Sequence, residues 1–373
     1  MQENELNVQA GSVLALRLFD ISYEIDLQRA EELWTESARG PSARSRLLGT
    51  LPKAVSFGVP PLTLELGSVT LEIGGRREVC SAAVRLYDFG IAAVTLRFSV
   101  RDMGWSDFVQ HVNSINQAVG PATVTDVWNS LLAEMRTLLR DALHRPTTAP
   151  LQEDYLIAVV NAFDSPITAE ALQARVDLVP VLSGQDRPLS DGARRDLLSQ
   201  RFSYYTDDLA VITWDRAFLY EPRAETDVTD VLEIANAQLL EMRTYDEMLD
   251  DELPRLRDLV EAARRRRNVL AARRYARLAQ RLQSLVAEVT ELAERVDNAL
   301  QVTEDVYLAR VYAATIALLR VPIVGAAVDR KLAIMRETYT ALHQQAAGSR
   351  AELLEIAILA LIAVEIVLSL VRH

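Results

Sequence analysis

Along the first half of the chain the apolar positions switch between the period of a strand and that of a helix. Val13 to Ser22 alternates as a strand does. Asp26 then reads as the N-cap of a helix running to Ala38, with Glu31 and Glu32 in its early turns. Gly40 to Pro61 is rich in proline and glycine and reads as a loop. Leu64, Leu66, Val69, Leu71 and Ile73 alternate around Gly67 and predict a strand over Leu62 to Ile73. Gly74-Gly75 is a two-residue hairpin turn, because both turn positions can require positive φ. A second run, Val79 to Val100, follows and is rich in β-branched and aromatic residues.

Helical spacing resumes over Ser106 to Val119 and Val124 to Leu143. In the second, Val127, Trp128, Leu131, Leu132, Met135, Leu138 and Leu139 form one stripe. Tyr155 to Phe163 predicts a strand, Thr168 to Val176 a short helix, and Ser183 to Pro188 a loop. Tyr204 to Ile212 and Arg216 to Tyr220 read as a strand pair around Trp214-Asp215. This order predicts an α+β domain over residues 1–225 rather than a regular βαβ sheet.

From Asp227 the pattern becomes helical throughout. Between Pro222 and Pro322 there is no glycine, and Pro254 alone can kink a helix or start one. Val231, Ala235, Met242, Tyr245 and Leu249 mark one stripe. Leu278, Leu282, Leu285, Val289, Leu292, Val296 and Ala299 step alternately by four and three, the spacing of a heptad seam. Such a seam serves a coiled-coil hairpin, an oligomer contact, or packing within one helical bundle. A further helix is predicted over Ala326 to Ala347, and the long-helix, coiled-coil-like region spans 226–350.

The final segment, 351–373, is predicted to be a membrane helix. Leu353 to Val371 is apolar around its circumference and carries two charges, Glu355 and Glu365. Its length is about 28 Å at 1.5 Å per residue, near the thickness of a bilayer core. Arg350 and Arg372 flank it and can reach the headgroups. Glu365 is costly in lipid by about 3 kcal/mol, a cost lowered by protonation or by pairing with a partner helix. The alternative is a buried core helix at the end of a protein that spans nothing.

Charge sharpens this reading at one place. The chain carries 52 Asp and Glu against 40 Lys and Arg, a net charge of −12. An acidic balance argues against polyanion binding by the whole surface. Arg255 to Arg281 runs the other way, with ten Arg against Asp258 and Glu261, a net +8 in 27 residues. Arg264, Arg265, Arg266, Arg267, Arg273 and Arg274 are its candidate contact residues for RNA phosphates, a ribosome or anionic lipid. The other reading is a helix balanced by acidic neighbours such as Asp246 to Glu252. Tyr275 is the one aromatic there, so base stacking is not indicated.

Candidate chemistry is sparse. Cys80 is the single cysteine, which excludes a disulfide within the chain and a multi-cysteine metal site and fits a reducing compartment. His111, His144, His343 and His373 show no zinc-hydrolase spacing. There is no phosphate-binding P-loop and no G-x-S-x-G elbow. Asp88-Phe89-Gly90 matches a kinase triplet without its partner motifs and reads as the end of a strand. Asp207-Asp208, and Asp246 with Glu247, Asp250, Asp251 and Glu252, could hold Mg²⁺ or do acid–base work. The favoured reading is a turn before a strand and a solvated helix face ahead of Pro254. No catalytic, cofactor-binding or metal-binding residue is therefore assigned. Basic residues are Arg except for Lys53 and Lys331, which points to a GC-rich, bacterial genome. The amino-terminal MQENELNVQAGS is not a secretory signal, so the bulk of the chain is expected on the cytoplasmic side of a bacterial inner membrane.

Five stretches carry a resemblance. They are LFDISYEIDLQRAEEL (Leu18 to Leu33), VRLYDFGIAAVTL (Val84 to Leu96), YYTDDLAVITWDRAFLYEP (Tyr204 to Pro222), VLEIANAQLLEMRTYDEMLDDEL (Val231 to Leu253) and RAELLEIAILALIAVEIVLSL (Arg350 to Leu370). In this order they resemble the Required for Meiotic Nuclear Division family, a domain of unknown function in bacteria, fungi and mitochondria. The family often places Phe-Trp after its Asp-Phe-Gly-like strand, where this chain has Thr95-Leu96-Arg97-Phe98. The resemblance implies a membrane-anchored, oligomeric protein related to mitochondrial proteins that support organelle translation. It supplies no active-site residues. The expectation is a scaffold or adaptor, with an RNA-contacting factor and a metal-dependent enzyme as alternatives.

Overall fold

The computed structural model describes residues 6–37, 42–44, 55–56, 59–123, 126–185, 187–264, scattered positions between 280 and 290, 301–302 and 305–341. The chain divides into two compact units, residues 1–241 with 295–322, and residues 242–294 with 323–373.

The first unit is built on a large sheet. Its strands begin with β1 (Asn7–Asp20), β2 (Ser22–Ile25), β3 (Ser42–Arg44), β4 (Val55–Ser56), β5 (Leu62–Ile73), β6 (Arg76–Leu86) and β7 (Ile91–Gly104). They continue with β8 (Leu143–Pro146), β9 (Gln152–Phe163), β10 (Arg201–Phe202), β11 (Leu209–Ile212), β12 (Arg216–Tyr220) and β13 (Gln301–Val302). Nine of them form one sheet in the order β10-β11-β12-β9-β1-β7-β6-β5-β3. All neighbours are antiparallel except β12 and β9. Two short pairs, β13 with β4 and β2 with β8, complete the strands. The α+β expectation for this region holds.

Turn chemistry fixes the register. Ile73 pairs with Arg76 across Gly74 and Gly75, whose φ of 56° and 78° make the predicted hairpin turn. The run Val79 to Val100 divides into β6 and β7 at a turn of Asp88, Phe89 and Gly90. Gly90 has φ 98°, and a Cβ there would meet the Ser22 carbonyl oxygen at 1.8 Å. Only glycine meets both demands. The triplet is thus a turn between strands, as the missing kinase motifs imply.

Helices cover the sheet on both faces. One face carries α1 (Leu27–Glu36), α2 (Trp105–Val119) and α3 (Asp126–Leu138), then the short α4 (Ala169–Arg175) and α5 (Val179–Ser183). The Asp26 carboxylate accepts from Gln28 and Arg29 backbone N–H groups, so the predicted cap of α1 forms. Thr168 caps α4 in the same way. Phe108, Val112, Ile115 and Trp128 meet Val84, Leu96 and Phe98 from the strands in a dry core. Next in the chain is α6 (Asp191–Leu197).

The opposite face is covered by the start of α7 (Asp227–Arg264) and by α8 (Val306–Leu318). Val231, Leu232 and Leu240 of α7, with Leu308 and Val311 of α8, pack on Leu14, Leu16, Leu18, Tyr155 and Ile157. The Tyr312 hydroxyl of α8 donates to Gln238 of α7 at 2.5 Å.

In the second unit α7 continues past Pro254, so of the two expectations for this proline it does not start a new helix. Lys331, on α9 (Val321–Ala341), places its ammonium 2.6 Å from Asp246 and 2.7 Å from Asp250 of α7. Among the described residues no single helix is long and apolar enough to cross a membrane; α8 and α9 pass such a test of length and composition only together, across a bend. The predicted membrane segment 351–373 lies outside the described residues, as does most of the heptad seam.

Candidate functional site

Residues of β6 alternate between the two faces. Ala82, Val84 and Leu86 enter the dry core, which turns Ser81, Ala83 and Arg85, and Tyr87 just past the strand, toward the α7 side. Tyr87 packs there against Phe89 at 5.2 Å between rings. One step earlier, Arg85 meets the first turns of α7. Its Nη1 lies 2.9 Å from Asp230 and 3.3 Å from Glu233. Asp230 and Glu233 are three residues apart, so both project from one helix face. The Tyr87 hydroxyl donates to Glu233 Oε1 at 2.7 Å, and the Thr226 hydroxyl donates to Asp230 Oδ2 at 3.4 Å.

This cluster is well removed from water. Side-chain exposure is 21% for Arg85, 12% for Asp230 and 9% for Glu233. Burial pushes the Glu233 carboxyl above its ordinary value, against the opposing pull of Arg85. Burial likewise raises the Tyr87 phenol well above its usual range, and Glu233 adds to the effect. At Arg85 burial disfavours the charge, but Glu233 and Asp230 outweigh it and hold the guanidinium firmly protonated.

Beside the cluster lies a cavity of about 220 Å³. Leu14, Leu16 and Ile157 supply apolar wall, while Arg85, Arg97, Thr95 and Thr229 bring polar groups to it. It is smaller than the roughly 300–1,000 Å³ of pockets for drug-sized ligands.

The sequence-predicted acids occupy other places. Asp208 is 5% exposed, and its Oδ1 accepts from the backbone N–H groups of Tyr204 and Tyr205 at 2.8 and 3.0 Å. It closes the turn before β11, and residues 204–208 are not strand. Arg223 lies 3.5 Å from Asp208 and 3.9 Å from Asp207 and stacks on the Tyr205 ring at 3.9 Å. Asp246 and Asp250 are held by Lys331, and Glu252 by Arg255 at 2.7 Å. Among the described residues, no group of three or more His, Cys, Asp or Glu side chains is placed to hold a metal ion. Arg264 ends α7, but its side chain, together with Arg265, Arg266, Arg267, Arg273, Arg274 and Glu365, lies outside the described residues. Neither Arg85 nor Glu233 belongs to a recognisable motif. Each had a visible anomaly, a charge inside an apolar run: Ala82-Ala83-Val84-Arg85-Leu86 and Val231-Leu232-Glu233-Ile234.

The profile of one family, described as the N-terminal domain of the uncharacterized protein MJ0711, matches residues 10–227. The uncharacterized protein MJ0711 of Methanocaldococcus jannaschii is 24% identical over 196 residues, which cover 52% of this chain and 59% of that relative. The matched part therefore spans about three-fifths of the relative's length. No solved structure matches the chain. The family match contains all of β5, β6 and β7 and stops at the first residue of α7.

Proposed function

We propose, from the premise that the chain belongs to the family of the uncharacterized MJ0711 N-terminal domain, that it is a membrane-held, oligomeric scaffold or adaptor rather than an enzyme. One observation supports this reading most directly. The acidic clusters suited to acid–base or metal chemistry are engaged by cations of the same chain. Lys331 holds Asp246 and Asp250, Arg223 reaches Asp207 and Asp208, and Arg85 holds Asp230 with Glu233. Carboxylates so arranged join elements together and have their charge neutralised in place.

The rest of the reading comes from sequence. The kinship we infer with the Required for Meiotic Nuclear Division family, and its translation-linked mitochondrial members, rests on the five ordered stretches quoted above. Anchorage is assigned to Leu353 to Val371, with the bulk of the chain on the cytoplasmic side of a bacterial inner membrane. Self-association is assigned to the heptad seam from Leu278 to Ala299 and to Glu365. The net +8 of Arg255 to Arg281 favours one second reading, contact with RNA or a ribosome.

Fractionation and mass test the proposal together. Full-length chain should sediment with membranes and, once solubilised in detergent, show the mass of an oligomer; a truncation ending at residue 350 should be released. A full-length chain that stays soluble and monomeric rejects the scaffold reading. Stabilisation by Mg²⁺ or Mn²⁺ would return the choice to a metal-dependent enzyme.

A further inference from the structure

Tyr204 and Tyr205 are large rings left in water, 59% and 50% exposed. Their rings meet edge to face at 4.7 Å, and Tyr204 lies 5.4 Å from Tyr307 of α8. Asp208 accepts from the backbone N–H groups of both tyrosines. The rings are therefore held in place before any partner arrives, which lowers the entropy cost of binding. Exposed tyrosines on a fixed turn suit the anchors of a protein interface.

The patch around them is acidic. Arg223 lies 3.5–3.9 Å from Asp207, Asp208, Glu221 and Glu225, and Asp305 caps α8 beside Tyr307. These five carboxylates and one guanidinium carry a balance of −4. Burial above all, then the charges of Asp208, Glu221 and Asp305, raise the Tyr307 phenol well above its ordinary range, while Arg223 opposes them.

Arg223 also shows what the patch accepts. Its guanidinium stacks on the Tyr205 ring at 3.9 Å while its nitrogens face carboxylates. A guanidinium makes both contacts at once, and an ammonium makes them less well. Tyr204 offers a second exposed ring, and Asp207 and Glu225 keep about half of their surface open to a second cation. The sequence holds the complement in Arg255 to Arg281, with its net +8.

We propose that the Tyr204–Tyr205 patch of one copy docks the arginine-rich segment Arg255 to Arg281 of a second copy. Guanidinium groups stack on the exposed rings and pair with Asp207 and Glu225. Two different surfaces meet, so the contact is heterologous and each copy keeps one of each for the next. Charge complementarity of this kind sets specificity and register. The contact rests on the oligomeric reading above and names a surface for it, and it gives the basic run a protein counterpart instead of RNA.

Full-length variants in detergent test this. One lacks the patch through Tyr204→Ser, Asp207→Asn and Glu225→Gln. The other lacks most of the run's charge through Arg264→Gln, Arg265→Gln, Arg266→Gln, Arg267→Gln, Arg273→Gln and Arg274→Gln. Energy transfer between amino-terminally labelled copies reads their association. The two variants should associate with each other roughly tenfold or more tightly than either does with itself. Salt at about 1 M should remove the difference. The heptad seam and Glu365 are common to all copies and cancel. A labelled peptide of residues 255–281 should bind the run-neutralised chain, and Tyr204→Ser added to that chain should weaken binding while keeping the backbone bonds to Asp208. The same peptide with Lys for every Arg should bind less well. Equal association in all pairings, indifference of the peptide to Tyr204→Ser, or a Lys peptide that matches the Arg one overturns the proposal. An oligomer with equal pairings removes this contact and leaves the scaffold reading standing; a monomeric parent rejects the scaffold reading and this contact with it.

Discussion

The two faces of the nine-stranded sheet are made from alternate residues of the same strands, yet they end in different chemistry. On the side of α1, α2 and α3, Ala82, Val84, Leu86, Ala92, Val94 and Leu96 are fully buried among aromatic and aliphatic side chains. On the side of α7 and α8 the apolar cluster runs from Phe202, Ile212 and Leu219 through Ile157 and Leu16 to Ala93 of β7. Toward β6 and β5 it gives way to Ser81, Arg85, Thr63 and Glu65. A period of two lets one strand serve both needs, because a change on one face leaves the other untouched. The first face is held mainly by packing, with a few buried hydrogen bonds such as Trp128 to the Val119 carbonyl, and the second carries the ion-paired cluster of Arg85, Asp230 and Glu233.

Substitutions on the two faces should separate these contributions. The largest effect is expected on the dry side. Phe108 is fully buried on α2, with its ring 5.6 Å from that of Trp105. Phe108→Ala should destabilise the first unit by about 3–5 kcal/mol, read as a lowered urea midpoint. A loss well under that range would mean that this face tolerates cavities and the contrast is weaker than drawn. On the other side Tyr87→Phe removes one hydroxyl and keeps the ring. It leaves Glu233 without its 2.7 Å donor and should cost about 1–3 kcal/mol. Adding Glu233→Gln to Tyr87→Phe tests the coupling: the two losses should not add, because both break one bond. Strict additivity would place the two side chains in separate environments.

The local devices of this fold were readable from sequence, while the long-range ones were not. Asp26 before a helical stripe and Gly74-Gly75 between alternating runs each carry their reason within a few residues, and both form as expected. The single run read over Val79 to Val100 is two strands because Gly90 bears a positive φ and sits against Ser22, a contact that alternation does not encode. The sheet order is further out of reach. β9 lies between β1 and β12, and its parallel pairing with β12 depends on where α4 to α6 and β10 to β11 return the chain. The candidate site follows the same rule. Arg85 and Asp230 are 145 residues apart, so their pairing appears only once α7 lies on β6. The basic run and Glu365 were legible as charge patterns, but a charge pattern does not name its counterpart.

The smallest expected effect concerns protons, and it asks whether the polar face differs from the dry one in solution. Burial raises the Glu233 carboxyl above its ordinary value of 4.5, even beside Arg85. The folded chain therefore holds this proton more tightly than the unfolded chain. Between the two values the folded state binds more protons, so unfolding free energy falls as pH rises through that window. The contribution is fully present below the unfolded value and is lost as pH passes the folded one. Glu233→Gln removes the titration while keeping a similar shape. Unfolding free energies of parent and variant measured from about pH 4 to about pH 7 should match most closely at the acid end. The parent should then lose stability relative to the variant as pH increases. Asp154 and Asp215 are also raised by burial, and they are common to both proteins, so they shift both curves together. Parallel curves would show that Arg85 and Tyr87 offset burial completely. A parent that gains on the variant with rising pH would show that the ion pair outweighs burial, and the polar face would then be stabilised by charge more strongly than its depth suggests.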